Sequence, residues 1–109
     1  MSLLSAFRVG TSALTAQSQR LNVIASNLAN VESSTGPDGR PYRARQVVFQ
    51  SAYLGPAMER GVRVAAVVED PSALRRVYRP GHPNADELGY VDLPNVNPVD
   101  EMVNMISAS

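Results

Sequence analysis

The stretch SLLSAFRVGTSALTAQSQRLNVIASNLANV, residues 2–31, decides how this chain folds. Phe7, Leu14, Leu21 and Leu28 recur every seven residues, and Leu3, Ile24 and Val31 fill the partner seam three or four residues away. That spacing places the apolar side chains on one face of an α-helix. No Pro interrupts the run, and Gly10 is its weak point. Gly10 and Gln17 stand where a strict heptad would carry apolar residues. The opposite face is Ser, Thr, Gln, Asn and Ala, not the Glu and Lys of a two-stranded coiled coil in water. A long helix packed on several sides by other helices suits this pattern. An amphipathic helix lying on its own β-unit is the alternative.

Working outward, residues 32–45 contain Ser33, Ser34, Thr35, Gly36, Pro37, Asp38, Gly39 and Pro41, a crowd of turn formers that predicts a loop. Residues 46–95 predict a small antiparallel β-unit. Val62, Val64, Ala66 and Val68 alternate with Arg63, Ala65, Val67 and Glu69, giving a strand with one apolar face. Gln46–Gln50, Leu74–Arg79 and Gly89–Leu93 are three further β-rich runs bounded by Pro, Gly or Asp. Four short strands bury little by themselves, so the unit should lean on a helix or a neighbour. Residues 97–109 predict the start of a second helix. Asn97 suits the N-cap, Pro98 the first position, and Asp100 and Glu101 the positive helix start. Val99, Met102, Val103 and Ile106 form a stripe expected to dock on the first helix. The fold class is therefore α+β: a long N-terminal helix, a small antiparallel β-unit and a C-terminal helix pairing with the first. The last helix lacks a capping Gly or Asn and a base in its final turn, so the chain is expected to be cut short there.

The chain has 109 residues, room for a long helix and a modest β-unit but little for an enclosed catalytic core. Its formal charge is zero but unevenly placed. Residues 1–83 hold all ten Arg and five acids, a net of +5; residues 84–109 hold Asp86, Glu87, Asp92, Asp100 and Glu101 and no base, a net of −5. Unlike ends suit a subunit meeting neighbours head to tail, while mutual neutralisation within one molecule is the blander reading. There is no Cys. The opening MSLLSAF lacks the basic start and apolar run of a Sec signal, and no segment carries the ~18 consecutive apolar residues of a membrane span.

Catalytic chemistry finds few candidates. His82 is the one histidine, set between Gly81 and Pro83 in a turn, where a surface role is expected. The adjacent acids Glu69–Asp70, Asp86–Glu87 and Asp100–Glu101 point apart in strands or helices, so none forms a two-carboxylate site. No catalytic residue, cofactor site, metal site or small-molecule substrate is expected. Gly36-Pro37-Asp38-Gly39 lacks the glycines and the following Lys of a phosphate loop. Arg40, Arg43, Arg45, Arg60, Arg63, Arg75, Arg76 and Arg79 raise a nucleic-acid reading, which the neutral total charge opposes. Interface or surface Arg is preferred.

The segment Leu21-Asn22-Val23-Ile24-Ala25-Ser26-Asn27-Leu28-Ala29-Asn30, followed by Ser34-Thr35-Gly36, resembles the N-terminal signature of flagellar rod and hook proteins. Thr35–Ala44, Gln46–Phe49, Tyr78–Pro83, Gly89–Val91, Pro94–Asn97 and Glu101–Ser109 are similar to proximal-rod members of that family. The resemblance implies an axial structural protein of the flagellar basal body, a rod that crosses the periplasm and passes torque from motor to hook. Another rod or hook member is the runner-up. It implies export by the flagellar type III apparatus and partners that are copies of itself and other rod proteins. Phe7, Leu14, Leu21, Ile24 and Leu28 would make inner helical packing, and Asn27, Asn30 and Gly36 would shape the turn after the helix. It also implies a helical continuation beyond Ser109.

Overall fold

The computed structural model describes residues 2–36, 38–55 and 59–108. Pro37 of the expected turn and Ser109 lie outside them. Two helices and four strands follow in order: α1 (Leu3–Ala29), β1 (Arg45–Tyr53), β2 (Arg60–Glu69), β3 (Arg75–Tyr78), β4 (Tyr90–Leu93) and α2 (Pro98–Ala108). The molecule is elongated, 64 × 24 × 19 Å. α1 alone accounts for about 40 Å of that length at 1.5 Å per residue.

α1 starts where Ser2 caps it, its hydroxyl accepting the Ser5 N–H at 3.1 Å. It runs through Gly10 without a break because a continuous ladder outweighs one poor helix former. It stops at Asn30, whose N–H donates to the carbonyls of Ser26 and Asn27.

The β-unit consists of two separate antiparallel pairs, β1–β2 and β3–β4. The β1–β2 hairpin lies along α1. Near its turn, Arg8 pairs with the buried Glu59 at 3.2 Å, and Val62 N–H donates to the Ser12 hydroxyl at 3.1 Å. So α1 does lie on its own β-strands, as the alternative reading of its polar face supposed. The single apolar face expected from Val62 to Val68 is not kept. Val48 faces Ala66 and Phe49 faces Val64, so Ala65 is an extra residue at a β-bulge. One inserted residue shifts the phase of a period-two pattern. Val62 and Val64 are half-buried, while Ala66 and Val68 are exposed.

The β3–β4 pair turns back through residues 79–89. Gly89 sits there at φ +86°, and a Cβ on it would come within 2.8 Å of the Tyr78 ring. Asp86 organises the turn by accepting the N–H groups of Leu88 and Tyr90, both at 2.9 Å. His82 is half-buried in the same turn, its Nδ1 accepting Asn84 N–H at 3.0 Å. The apolar core is small and lies where the elements meet: Ala16, Ile24, Ala44, Val91, Leu93, Pro94, Val96 and Ala108. No described helix is long and apolar enough to cross a membrane.

Candidate assembly surface and the joint that positions it

α2 packs against α1 with a face the hydrophobic pattern did not indicate. Asn97 Oδ1 caps it, accepting Val99 N–H at 3.0 Å and Asp100 N–H at 3.2 Å, with Asp100 and Glu101 in its first turn. Glu101, Asn104, Met105 and Ala108, one stripe at helical spacing, are its less exposed residues. Val99, Met102, Val103 and Ile106, expected to dock on α1, are each more than half exposed. The polar partner decides this orientation: Asn27 of α1 donates to the Glu101 carboxylate at 3.3 Å and turns that side of α2 inward.

The expected packing residues of α1 divide in the same way. Ile24 is buried, and Leu21 and Leu28 are half-buried within the chain. Phe7 and Leu14 remain 65% and 72% exposed, with Leu3 and Leu4 exposed beside them in sequence. Both helices thus show large apolar side chains to the outside. Such surfaces on a folded chain mark contact sites.

Asn30 lies at the helix exit, its amide donating to Ser26 C=O at 2.8 Å and its oxygen accepting the Ser33 hydroxyl at 3.0 Å. Gly36 is required by close approach, since a Cβ there would meet Arg40 C=O at 2.9 Å. Asn27 takes a different role from the turn-shaping one expected. It is 1% exposed and points into the joint. Its oxygen accepts the Tyr42 hydroxyl at 2.7 Å and Arg45 N–H at 2.9 Å, while its NH2 donates to Arg45 C=O at 2.9 Å and to Glu101. All four hydrogen-bonding positions of one amide are filled. Tyr42 has one hydroxyl proton, which goes to Asn27, so Ser26 donates to Tyr42 at 3.1 Å.

Asn95, missed as a site residue in the sequence, makes a second hub. Its oxygen accepts Ala44 N–H at 2.7 Å, and its NH2 lies 3.1 Å from Asp70 C=O and 3.0 Å from Ser72 C=O. Arg75 ties the same region together, donating to Pro94 C=O and Val31 C=O, both at 3.1 Å. A Pro-Asn pair before a helix was the one local signal for Asn95. Nothing local foretold Arg75.

The arginines are largely engaged inside the chain. Arg43 reaches the carbonyls of Asp70 and Ser72, Arg79 pairs with Glu32 at 2.9 Å, and Arg40 pairs with Asp38 at 3.2 Å. Arg45 and Arg60 lie over the rings of Tyr42 and Tyr53. Arg76 pairs with Asp86 at 2.5 Å and lies 3.8 Å from Asp92, so part of the unlike charge of the two regions is neutralised at home. Backbone N–H groups of Tyr90 and Leu88, with Arg76, hold the Asp86 carboxyl below its ordinary pKa. Glu32 is lowered by its bond to Arg79, and Asp70 by the Ser72 N–H. Among the described residues no group of three or more His, Cys, Asp or Glu side chains is placed to hold a metal ion.

Comparison with known proteins assigns this architecture. Residues 7–37 match the family described as flagella basal body rod protein, and residues 87–109 match that of the flagellar basal body rod FlgEFG protein C-terminal. The flagellar basal-body rod protein FlgC of Yersinia enterocolitica is 60% identical over 109 residues, covering 100% of this chain and 81% of the relative. The FlgC proteins of Salmonella typhimurium and Borreliella burgdorferi are 57% and 44% identical, covering 100% of this chain and 81% and 83% of theirs. These relatives are rod proteins rather than enzymes. The chain belongs to the flagellar basal-body rod protein family.

Proposed function

We propose that the chain is a structural subunit of the proximal rod of the bacterial flagellar basal body, assembling helically and passing torque from motor to hook. One observation carries the assembly reading: Phe7 and Leu14 on α1, and Val99, Met102, Val103 and Ile106 on α2, are all more than half exposed. Apolar area gains about 25 cal/mol per Å² when removed from water, so these faces favour cover by other helices. Its partners are copies of itself and other rod subunits, and an open array of like subunits requires heterologous contacts. Leu21, Ile24 and Leu28 continue the α1 seam where it meets the rest of the chain. On this reading residues 2–31 and 97–109 are the axial part, 46–95 the outer part, and 32–45 the loop between. The chain reaches its place through the flagellar type III export apparatus.

Leu14→Asp and Ile106→Asp test this reading, because exposed positions tolerate the change in the monomer. Both variants should keep the helical circular dichroism of the parent and fail to restore swimming to a strain lacking the subunit. Wild-type swimming with either variant would overturn the proposed surface.

A further inference from the structure

We infer that Asn27 and Asn95 form a two-sided clamp on the backbone at Ala44 and Arg45, and that this clamp fixes the angle between the helix pair and the β-hairpins. Ala44 N–H donates to Asn95 Oδ1 at 2.7 Å, and the very next amide, Arg45 N–H, donates to Asn27 Oδ1 at 2.9 Å. The two side chains come from different places: Asn27 from the last turn of α1, Asn95 from the lead-in to α2. Each has a second hold. Asn27 also donates to Arg45 C=O and Glu101, and Asn95 to the carbonyls of Asp70 and Ser72 at the base of β2. Ala44 itself is buried, and its carbonyl accepts Asp70 N–H at 2.8 Å.

Two successive residues, Ala44 and Arg45, therefore touch α1, the approach to α2 and the base of the β1–β2 hairpin. Hydrogen bonds weaken steeply as they bend, so swinging the hairpin about its base would disturb these bonds together. An apolar contact at the same place could slide and stay in contact. Asn27 and Asn95 are positioning residues: they act through the backbone at Ala44 and Arg45, away from the exposed helical faces. This role rests on the reading of the chain as a structural subunit, where a fixed angle between axial and outer parts carries force from one to the other.

The test uses the full chain in solution. It has no Cys, so Gln19→Cys and Glu87→Cys, both exposed, accept spin labels on α1 and on the β3–β4 turn. Asn95→Ala in this background should speed hydrogen exchange of both the Ala44 and Arg45 amides by roughly fivefold or more, the loss of about one hydrogen bond. It should also broaden the distribution of distances between the labels while the helical signal persists. Faster exchange at Ala44 alone, with the Arg45 amide and the distances unchanged, would overturn the clamp. Should Asn95→Ala unfold the chain, exchange in the unsubstituted protein at low urea decides. The clamp requires one shared urea dependence for the two amides, and separate dependences sink it. Incorporation of the unsubstituted chain into basal bodies is scored apart, so failure of the subunit reading is distinguishable from failure of the clamp.

Discussion

Replacing Asn27 by Asp changes one atom and should be among the most damaging conservative substitutions in the chain. The introduced carboxylate can still accept from Tyr42 and Arg45 N–H, but it cannot donate. Two bonds are lost, to Arg45 C=O at 2.9 Å and to Glu101 at 3.3 Å, and both become contacts between negatively polarised oxygens. Each lost bond is worth about 1 kcal/mol, and leaving buried acceptors without a donor adds about 1–3 kcal/mol. Repulsion from Glu101 adds about 1 kcal/mol, since that carboxylate is half-exposed and screened. The total, about 4–6 kcal/mol, is a large part of the roughly 5–15 kcal/mol that holds a domain folded. Burial at a site 1% exposed raises the pKa of the new carboxyl in the folded state. A raised folded-state pKa means the native form binds the proton more tightly. The deficit relative to the parent is therefore greatest above that raised value. It shrinks as pH falls through it toward the ordinary Asp value of about 3.9. Urea denaturation of Asn27→Asp and the parent between pH 5 and pH 8, with Glu101→Gln added to each, measures this directly. Glu101→Gln should restore about 1–2 kcal/mol to the Asp variant only. A variant within about 0.5 kcal/mol of the parent at pH 7, or one indifferent to Glu101→Gln, would refute the four-bond account of Asn27.

Gly89→Ala should cost about 1–3 kcal/mol, because an L side chain at φ +86° is strained and its Cβ meets the Tyr78 ring. Amide exchange should then rise in β3 and β4 while α1 keeps its protection; uniform behaviour across both would contradict the local origin. Asp86, held below its ordinary pKa by the N–H groups of Tyr90 and Leu88 and by Arg76, stabilises the folded turn fully above about pH 4. That contribution is lost as pH falls through its depressed folded-state value. A carboxyl-carbon NMR titration should show Asp86 titrating below exposed reference carboxylates such as those of a short peptide, and an ordinary midpoint would remove the effect.

Much of the fold could be read from local pattern. The heptad of Phe7, Leu14, Leu21 and Leu28 announced α1, and Asn97-Pro98 with the following acids announced α2, because caps and periodicity act within a few residues. The bulge at Ala65 could not be read, since an alternating run looks the same whether or not its partner strand skips a residue. The orientation of α2 was hidden for a related reason. Its apolar stripe is plain, but which face turns inward depends on a bond from Asn27, seventy-four residues before Glu101. Burial arguments from hydrophobicity failed at Val99 and Ile106, which stay exposed. Asn27 was singled out by motif for the turn after α1, while its bonds to Tyr42, Arg45 and Glu101 had no local signal, and Asn95 had no periodicity to betray it. Polar hubs joining distant segments leave little trace in a single sequence.

The irregularity at Ala65 also bears on the time a subunit spends before it is built in. Strands of nine and ten residues with Val48, Phe49, Val67 and Val68 exposed would, if perfectly regular, be a template for stacking into fibres. A skipped residue kinks the ribbon and heightens its twist, so a second ribbon cannot lie flush along its whole length. The hairpin can thus keep apolar side chains outward while resisting stacking with copies of itself.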